Sequence, residues 1–363
     1  MTAPITLIAG FTPAPTTASL SFTLGANIGA GQGMNSEVYL ALDHQLDTQV
    51  VIKKVPKAKL NTTSEYFAEA RRLYDSRHKH VVEVKYACED PTHVFIAMPY
   101  YRGGSLQSVI DRRYLTTREI VRYGLEFLSG LHHVHVKGLV HFDMKPTNVL
   151  LDDSDTAAVA DFGLSREVTA SGLADMPRVY LAHMPPERAT SLLVAKTADV
   201  YQAGVTLYRM CVGNAEYDRQ LASYPSRAAL EGAITAGDFP DRRRHLAHVP
   251  VRLRNVIKKA MAVQLADRYQ TVLEFMNALA QVDESLDWSY AENGAWGAGA
   301  WRESDGSRGR HIKLTTTNGT WVVHAARLSA AGREVRCSAF CQAGLAERDA
   351  RQLLGRALTE RWP

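Results

Sequence analysis

Eight consecutive residues, His141-Phe142-Asp143-Met144-Lys145-Pro146-Thr147-Asn148, are followed by Asp161-Phe162-Gly163. Together they place two carboxylates, an amide oxygen and a cation in one short stretch of chain. Oxygen donors of this kind suit a hard divalent cation that bridges phosphates, and a carboxylate beside them can receive a hydroxyl proton. Asp and Asn are common in turns when taken singly; their joint occurrence in this order points to chemistry. Upstream lies Gly31-Gln32-Gly33-Met34-Asn35-Ser36-Glu37-Val38. Glycines at its first and third positions let the backbone approach a phosphate whose oxygens the amides can cradle, although a glycine turn in a hairpin reads equally well. Lys53 ends the apolar run Val50-Val51-Ile52, either pointing into a cleft or lying on an exposed edge. Glu69 stands on the next helical stretch, and a buried Lys needs such a partner.

These residues need elements to hold them. From Leu20 to about Gly104 the texture is that of strands: LSFTLGANI, SEVYLALD, TQVVIKKV, VVEVKYACE and HVFIAMPYY, bounded by Gly, Asp and Pro. One helix interrupts them, with Ser64 as its cap and Phe67, Ala70, Leu73 and Tyr74 on one face. After Gly104 the period becomes helical. Thr116 followed by Glu119 is a capping box, with Val121, Leu125, Leu128, Leu131 and Val134 behind it and Gly138 as the stop. Further helices are expected near 196–213, 250–263 and 271–282, so a strand-rich lobe precedes a helix-rich one. Beyond Asp283 a Gly- and Trp-rich stretch leads into a hairpin turning at Asn318-Gly319, a third strand in REVRCSAF, and a helix from Ala346 to Arg361. The expected organisation is a tail over 1–19 that carries Pro4, Pro13 and Pro15, a domain over 20–283 with lobes at about 20–101 and 102–283, and a small α+β module over 284–363.

Composition narrows the function classes. The chain has 363 residues, 46% hydrophobic and 22% charged, which is ordinary globular composition. A net charge of +4 is too small an excess to make nucleic acid or an anionic membrane the main partner. With no apolar run long enough for a membrane span and no signal-peptide pattern at the start, a soluble cytoplasmic protein is expected. Cys88, Cys211, Cys337 and Cys341 lack metal-ligand spacing and read as reduced thiols. His132, His133, His135 and His141 read as structural or surface residues, and Arg242-Arg243-Arg244 as a solvated loop.

The motifs resemble those of the eukaryotic-type (Hanks-type) protein kinases, in particular the bacterial serine/threonine branch, over about residues 20–283. Pro185-Pro186-Glu187, Asp199 and Arg268 add to the match, with Glu187 and Arg268 implied as a structural ion pair. The resemblance implies a two-lobed α+β kinase fold, a small antiparallel sheet plus one helix and a larger helical lobe, with ATP between them. It implies that Gly31, Gly33 and Ser36 cover the ATP phosphates, and that Lys53, paired to Glu69, holds two of them. Asn148 and Asp161 would hold Mg2+, Asp143 would accept the substrate proton, and Lys145 would steady the γ-phosphate. Met98 falls at the gatekeeper position, the adenine would bond the backbone around Tyr100 and Tyr101, and Val38 and Ala41 would pack on its faces. The substrate would be a protein hydroxyl, the chain's own included. Phe142 stands where many kinases carry the Arg that binds a phosphorylated activation loop, so Thr169 and Ser171, the candidate phosphosites, need not be modified for activity. Tyr180 replaces a substrate-docking Thr, which bears on residue preference. Two alternatives share the fold, a pseudokinase acting as an ATP-gated scaffold and a small-molecule phosphotransferase. For the terminal module, a protein partner or intramolecular regulation is favoured, with plain packing against the domain next and RNA last.

Overall fold

The computed structural model describes residues 20–29, 37–59, 77–177, 179–294, 296–303, 309–328 and 333–362. The tail 1–19, the glycine segment with Gly31, Gly33 and Ser36, and the helix expected from Ser64 to Tyr74 with Glu69 lie outside the described residues. The described chain forms two compact units, one holding the first five strands and the other holding residues 77–83 and everything from Tyr101 onward.

In the first unit β1 (Phe22–Asn27), β2 (Glu37–Asp43), β3 (Thr48–Pro56), β4 (Tyr86–Glu89) and β5 (His93–Pro99) make an antiparallel sheet in the order β1-β2-β3-β5-β4. Asp43 holds the β2–β3 turn by accepting from the backbone N–H groups of Gln45 and Leu46 and from the Tyr86 hydroxyl. The alternation of side chains gives the sheet two distinct faces. Ala41, Val50, Ile52, Phe95 and Ala97 cluster on one, with Phe22, Leu24, Tyr86 and Cys88 packed against them. By register, Val38 opposite Lys53 and Val51 opposite Met98 lie on the other. The strand expected over Val81–Glu89 begins only at Tyr86, because Val81 and Val82 are tied instead to Val159 by a parallel bridge and a backbone hydrogen bond of 2.8 Å.

The second unit is helical at its centre. In chain order it contains β6 (Gly104–Ser105), α1 (Leu106–Arg112), α2 (Thr117–Val136), β7 (Leu139–Val140), β8 (Val149–Leu151) and β9 (Ala157–Val159). There follow β10 (Arg166–Glu167), β11 (Leu173–Asp175), β12 (Leu193–Ala195), α3 (Thr197–Val212), α4 (Asn214–Ala222), α5 (Arg227–Ala236), α6 (Val251–Ala260) and α7 (Val272–Ala280). Helix α2 starts at the expected capping box, with both reciprocal bonds between Thr116 and Glu119 present. Its buried face runs through Ile120, Tyr123, Gly124, Phe127, Leu131 and Val134, leaving Val121 and Leu125 half-buried. Gly124 sets that face, since a Cβ there would stand 2.7 Å from Leu279 and 2.9 Å from Leu207. Helix α3 is buried along its whole length, which makes it the core around which the lobe is built.

The terminal residues depart from the expected three strands and a helix. Among the described residues six antiparallel strands are present: β13 (Trp288–Glu292), β14 (Gly299–Glu303), β15 (Arg310–Thr317), β16 (Thr320–Leu328), β17 (Glu334–Arg336) and β18 (Gln342–Leu345), followed by α8 (Glu347–Thr359). The Gly- and Trp-rich stretch is itself a hairpin. Gly299 permits it, because any Cβ there would lie 2.1 Å from the Ala291 carbonyl oxygen. The turn at Asn318-Gly319 has positive φ at both residues, as a two-residue hairpin turn requires.

This sheet shares one compact unit with the helices. Arg118 donates to both oxygens of Asp287 at 2.7 and 2.8 Å, Trp296 Nε1 donates to the Val212 carbonyl at 3.1 Å, and Tyr114 donates to Glu292. Fully buried Trp301 donates through Nε1 to His248 Nδ1 at 3.2 Å. The arginine run is not a solvated loop. Only Arg243 is exposed, while Arg244 stacks on Trp296 at 4.5 Å and pairs with buried Glu216. Among the described residues no helix is long and apolar enough to cross a membrane.

Candidate active site

The loop from His141 to Asn148 is held from below by α3. Asp199, in the first turn of that helix and fully buried, accepts from the backbone N–H groups of His141 and Phe142, each at 2.7 Å, and from His135 Nε2 at 2.7 Å. Burial alone would raise the Asp199 carboxyl; the donors on it hold it below the usual carboxylate range. One turn on, Gln202 accepts from the Met144 N–H at 3.2 Å and donates to the Phe142 carbonyl at 3.0 Å. The His141 ring accepts from the Asp143 N–H and donates to the Ala160 carbonyl at 3.1 Å, and lies edge-on to buried Phe162. His135 and His141 are therefore structural, and among the described residues no group of three or more His, Cys, Asp or Glu is arranged to hold a metal. All four cysteines are free.

Above this base three polar side chains converge. Lys145 Nζ donates to both Asp143 oxygens at 3.0 and 2.8 Å, and Asn148 Nδ2 donates to the Asp143 carboxylate at 2.7 Å and to its carbonyl at 2.9 Å. Burial pushes the Asp143 carboxyl up, with the Lys145 cation opposing the shift. The Asn148 N–H groups are committed to Asp143, and its side-chain oxygen accepts from the Thr147 hydroxyl at 3.4 Å. Asp161 takes a left-handed backbone, φ 61°, with its residue exposed, while Phe162 after it is buried. Hard oxygen donors at both Asn148 and Asp161 fit a divalent cation.

Phe142 also has a left-handed backbone, φ 65°, and is fully buried. It packs with Val140, Ala174, Met176, Val194 and Ala198, and Leu164, Val168 and Val179 close the cluster. The segment that follows Asp161-Phe162-Gly163 is thereby fastened by apolar contacts, and the β11–β12 pair ties its far end. Thr169 and Ser171 are exposed and share a hydrogen bond of 2.8 Å. Arg268, 1% exposed, donates to both oxygens of Glu187 at 2.8 and 3.0 Å and to the Thr197 carbonyl. Tyr180 is half exposed beside fully buried His183, whose role no sequence motif signals.

In the strand unit, Val38, Lys53 and Met98 share a face of the sheet. Ala41, three residues from Val38, belongs to the opposite face, where it is buried in the apolar cluster. Val51 takes the place on the Lys53 face expected for Ala41.

A model of the protein kinase domain matches residues 22–284. Among curated relatives, the serine/threonine-protein kinase PrkC of Bacillus subtilis is 27% identical over 248 residues, covering 66% of this chain and 37% of the relative. The serine/threonine-protein kinase PknL of Mycobacterium tuberculosis is 28% identical over 260 residues, 70% of this chain and 64% of the relative. The probable serine/threonine-protein kinase PknB of Lactococcus lactis is 26% identical over 264 residues, 71% and 41% respectively. This chain thus matches less than two thirds of the length of each. The aligned stretch holds the Asp143 loop, its Asp199 anchor and the Glu187–Arg268 pair, and with the domain match across most of its length the chain belongs to the protein kinase family.

Proposed function

We propose that the chain is a serine/threonine protein kinase that transfers the γ-phosphoryl group of ATP to a protein hydroxyl, its own hydroxyls included. The observation that carries this reading is the convergence of Asp143, Lys145 and Asn148 on a loop whose backbone is pinned by Asp199. Family membership implies ATP and a divalent metal in general terms. In this chain Asn148 and Asp161 would hold Mg2+, which supplies charge neutralisation on the phosphates when bound. Asp143 orients the attacking hydroxyl and accepts its proton as the new oxygen–phosphorus bond forms and the bond to the ADP oxygen breaks. Its raised affinity for a proton, caused by burial, suits that task. Lys145 leaves Asp143 for the γ-phosphate when ATP is present. Lys53, paired to Glu69, holds the other phosphates under Gly31, Gly33 and Ser36, and Val38, Val51 and Met98 line the adenine, with Tyr100 and Tyr101 offering backbone. Glu187 with Arg268, and Asp199, serve the fold.

The kinase domain of this proposal spans 20–283, with 284–363 as a module built onto it, and the protein works in the cytoplasm. Phe142 makes loop phosphorylation dispensable. It cannot pair with a phosphate, and the apolar cluster around it already fastens the segment that carries Thr169 and Ser171. The test is transfer of radiolabelled phosphate from Mg-ATP to self and to myelin basic protein. Transfer by the intact chain that Asp143→Asn lowers by about 10²–10⁴-fold supports the reading. ATP binding without transfer from either form refutes it in favour of a nucleotide-gated scaffold.

A further inference from the structure

We infer that the terminal module positions the catalytic loop, through contacts that run from Trp296 and Glu292 by way of Gly213, Asn214, Arg209 and His183 to the carbonyl oxygen of Met144. The inference rests on the kinase reading above, since its end point is the residue between Asp143 and Lys145.

The chain of contacts is continuous. His183 Nδ1 lies 3.0 Å from the Met144 carbonyl oxygen, and its Nε2 lies 3.1 Å from an Arg209 nitrogen. A guanidinium has donors only, so Nε2 must accept and Nδ1 must carry the proton that goes to Met144. The ring is neutral, held well below the usual histidine range by burial and then by the Arg209 cation. Arg209 is itself buried, and among the described residues no carboxylate pairs with it directly. Three more of its donors go to Asn214 Oδ1, at 3.1 and 2.7 Å, and to Gln107 Oε1 at 2.6 Å. Both amides turn their N–H groups to Asp111. The cation is balanced at one remove, through two amides whose orientation it shares with the acid, and a buried cation of this kind tolerates little displacement.

Asn214 takes its place from Gly213, where α3 hands over to α4. Gly213 has φ 80°, and a Cβ there would stand 2.6 Å from the Tyr114 ring. The module closes on this junction from two sides. Trp296 donates to the carbonyl of Val212, the residue before Gly213, and Glu292 accepts from the Tyr114 hydroxyl while Tyr290 packs edge-on to the Tyr114 ring at 4.8 Å. The module therefore grips the carbonyl and the ring that define where Asn214, and with it Arg209, can sit.

The experiment uses the full chain. Trp296→Phe removes the N–H bond and keeps an aromatic ring beneath Arg244. His183→Leu removes both ring nitrogens, and His183→Gln restores one donor and one acceptor. Expected are a fall in kcat of about fivefold for Trp296→Phe and about thirtyfold for His183→Leu, with KM for ATP within about twofold and most of kcat recovered by His183→Gln. The double variant Trp296→Phe/His183→Leu should match His183→Leu alone, because residues in one network do not add. A double variant that falls by the product of the single effects, or an unchanged kcat in Trp296→Phe, overturns the inference. Tyr114→Phe, which cuts the bond to Glu292 and leaves the ring against Gly213, gives the same comparison should Trp296→Phe fail to fold. Val335→Ser, on an exposed edge of the module, serves as the control without effect. Amide hydrogen exchange over residues 141–146 reads the same positioning without catalysis. If the wild-type chain transfers no phosphate, faster exchange there in Trp296→Phe still supports the inference while the kinase reading falls; unchanged exchange overturns it.

Discussion

His141 and Phe142 are neighbours in the chain, yet they head two regions held by opposite physics. The loop behind His141, which carries the proposed proton acceptor Asp143, is fixed by directed bonds to Asp199, Gln202 and His183, most of them fully buried. The segment facing Phe142 is held by apolar packing among Phe142, Ala174, Met176 and Val194. A hydrogen bond sets an angle and a distance, which a proton acceptor needs; packing sets only proximity, which suffices to hold a surface in place. Packing is also indifferent to charge. Where a phosphate and an arginine would make docking conditional, the function proposed above has the Phe142 cluster hold the segment without either.

The comparison can be broken from either side. On the polar side, Asp161→Asn should lower phosphate transfer by about 10²-fold or more, because an amide is a poorer ligand for a hard cation, with the thermal midpoint of the free protein little changed. On the apolar side, Phe142→Ala should lower stability to urea by about 3–5 kcal/mol by opening a cavity in a closed cluster. If it instead leaves stability intact and makes activity depend on Thr169 or Ser171, the packing account is wrong.

Acid separates the two regions more finely. His183 and His248 are buried and His245 half-buried, and all three are held neutral, the latter two pulled from the usual 6.5 to about 4, chiefly by desolvation. The unfolded chain takes up those protons near pH 6.5 and the folded chain does not, so stability should fall as pH drops from about 6.5 toward 4. Asp199 is held low, so its contribution persists above the ordinary carboxylate range and is lost only as pH falls below it. Urea unfolding at stepped pH checks this, and His248→Asn should flatten the slope. The smallest effect is expected for Thr169→Ala with Ser171→Ala, whose loss of transfer should stay under tenfold, or ~1.4 kcal/mol of barrier. A larger loss would give the segment a charge-dependent latch that Phe142 argues against.

Local chemistry was legible in the residues. Thr116 and Glu119 form the capping box that their spacing implies, and Asn318-Gly319 makes the hairpin turn. Asp143, Lys145 and Asn148 stand within hydrogen-bond reach, since a tight loop leaves neighbours in sequence few other places to go. What was not legible depended on strand alternation or on partners from distant segments. Ala41 falls on the wrong face because three residues along a strand reverse the side-chain direction. The hairpin β13–β14 was hidden because glycines interrupt its alternation, although Trp288, Tyr290 and Trp301 still carry the buried side. The arginines at 242–244 looked like a solvated run because their partners, Glu216 and Trp296, come from distant parts of the chain.

By itself the amino-acid sequence determined the family motifs, the caps, the turns and the chemistry available at Asp143, all of which depend on residues close in the chain. Tertiary structure alone decided what surrounds Phe142, which tautomer His183 adopts and that the last six strands pack onto the helical lobe. The reason is physical. A hydrogen-bond partner or a packing neighbour for a buried group is supplied by whichever distant segment the fold brings alongside, and nothing in the local order of residues records that meeting.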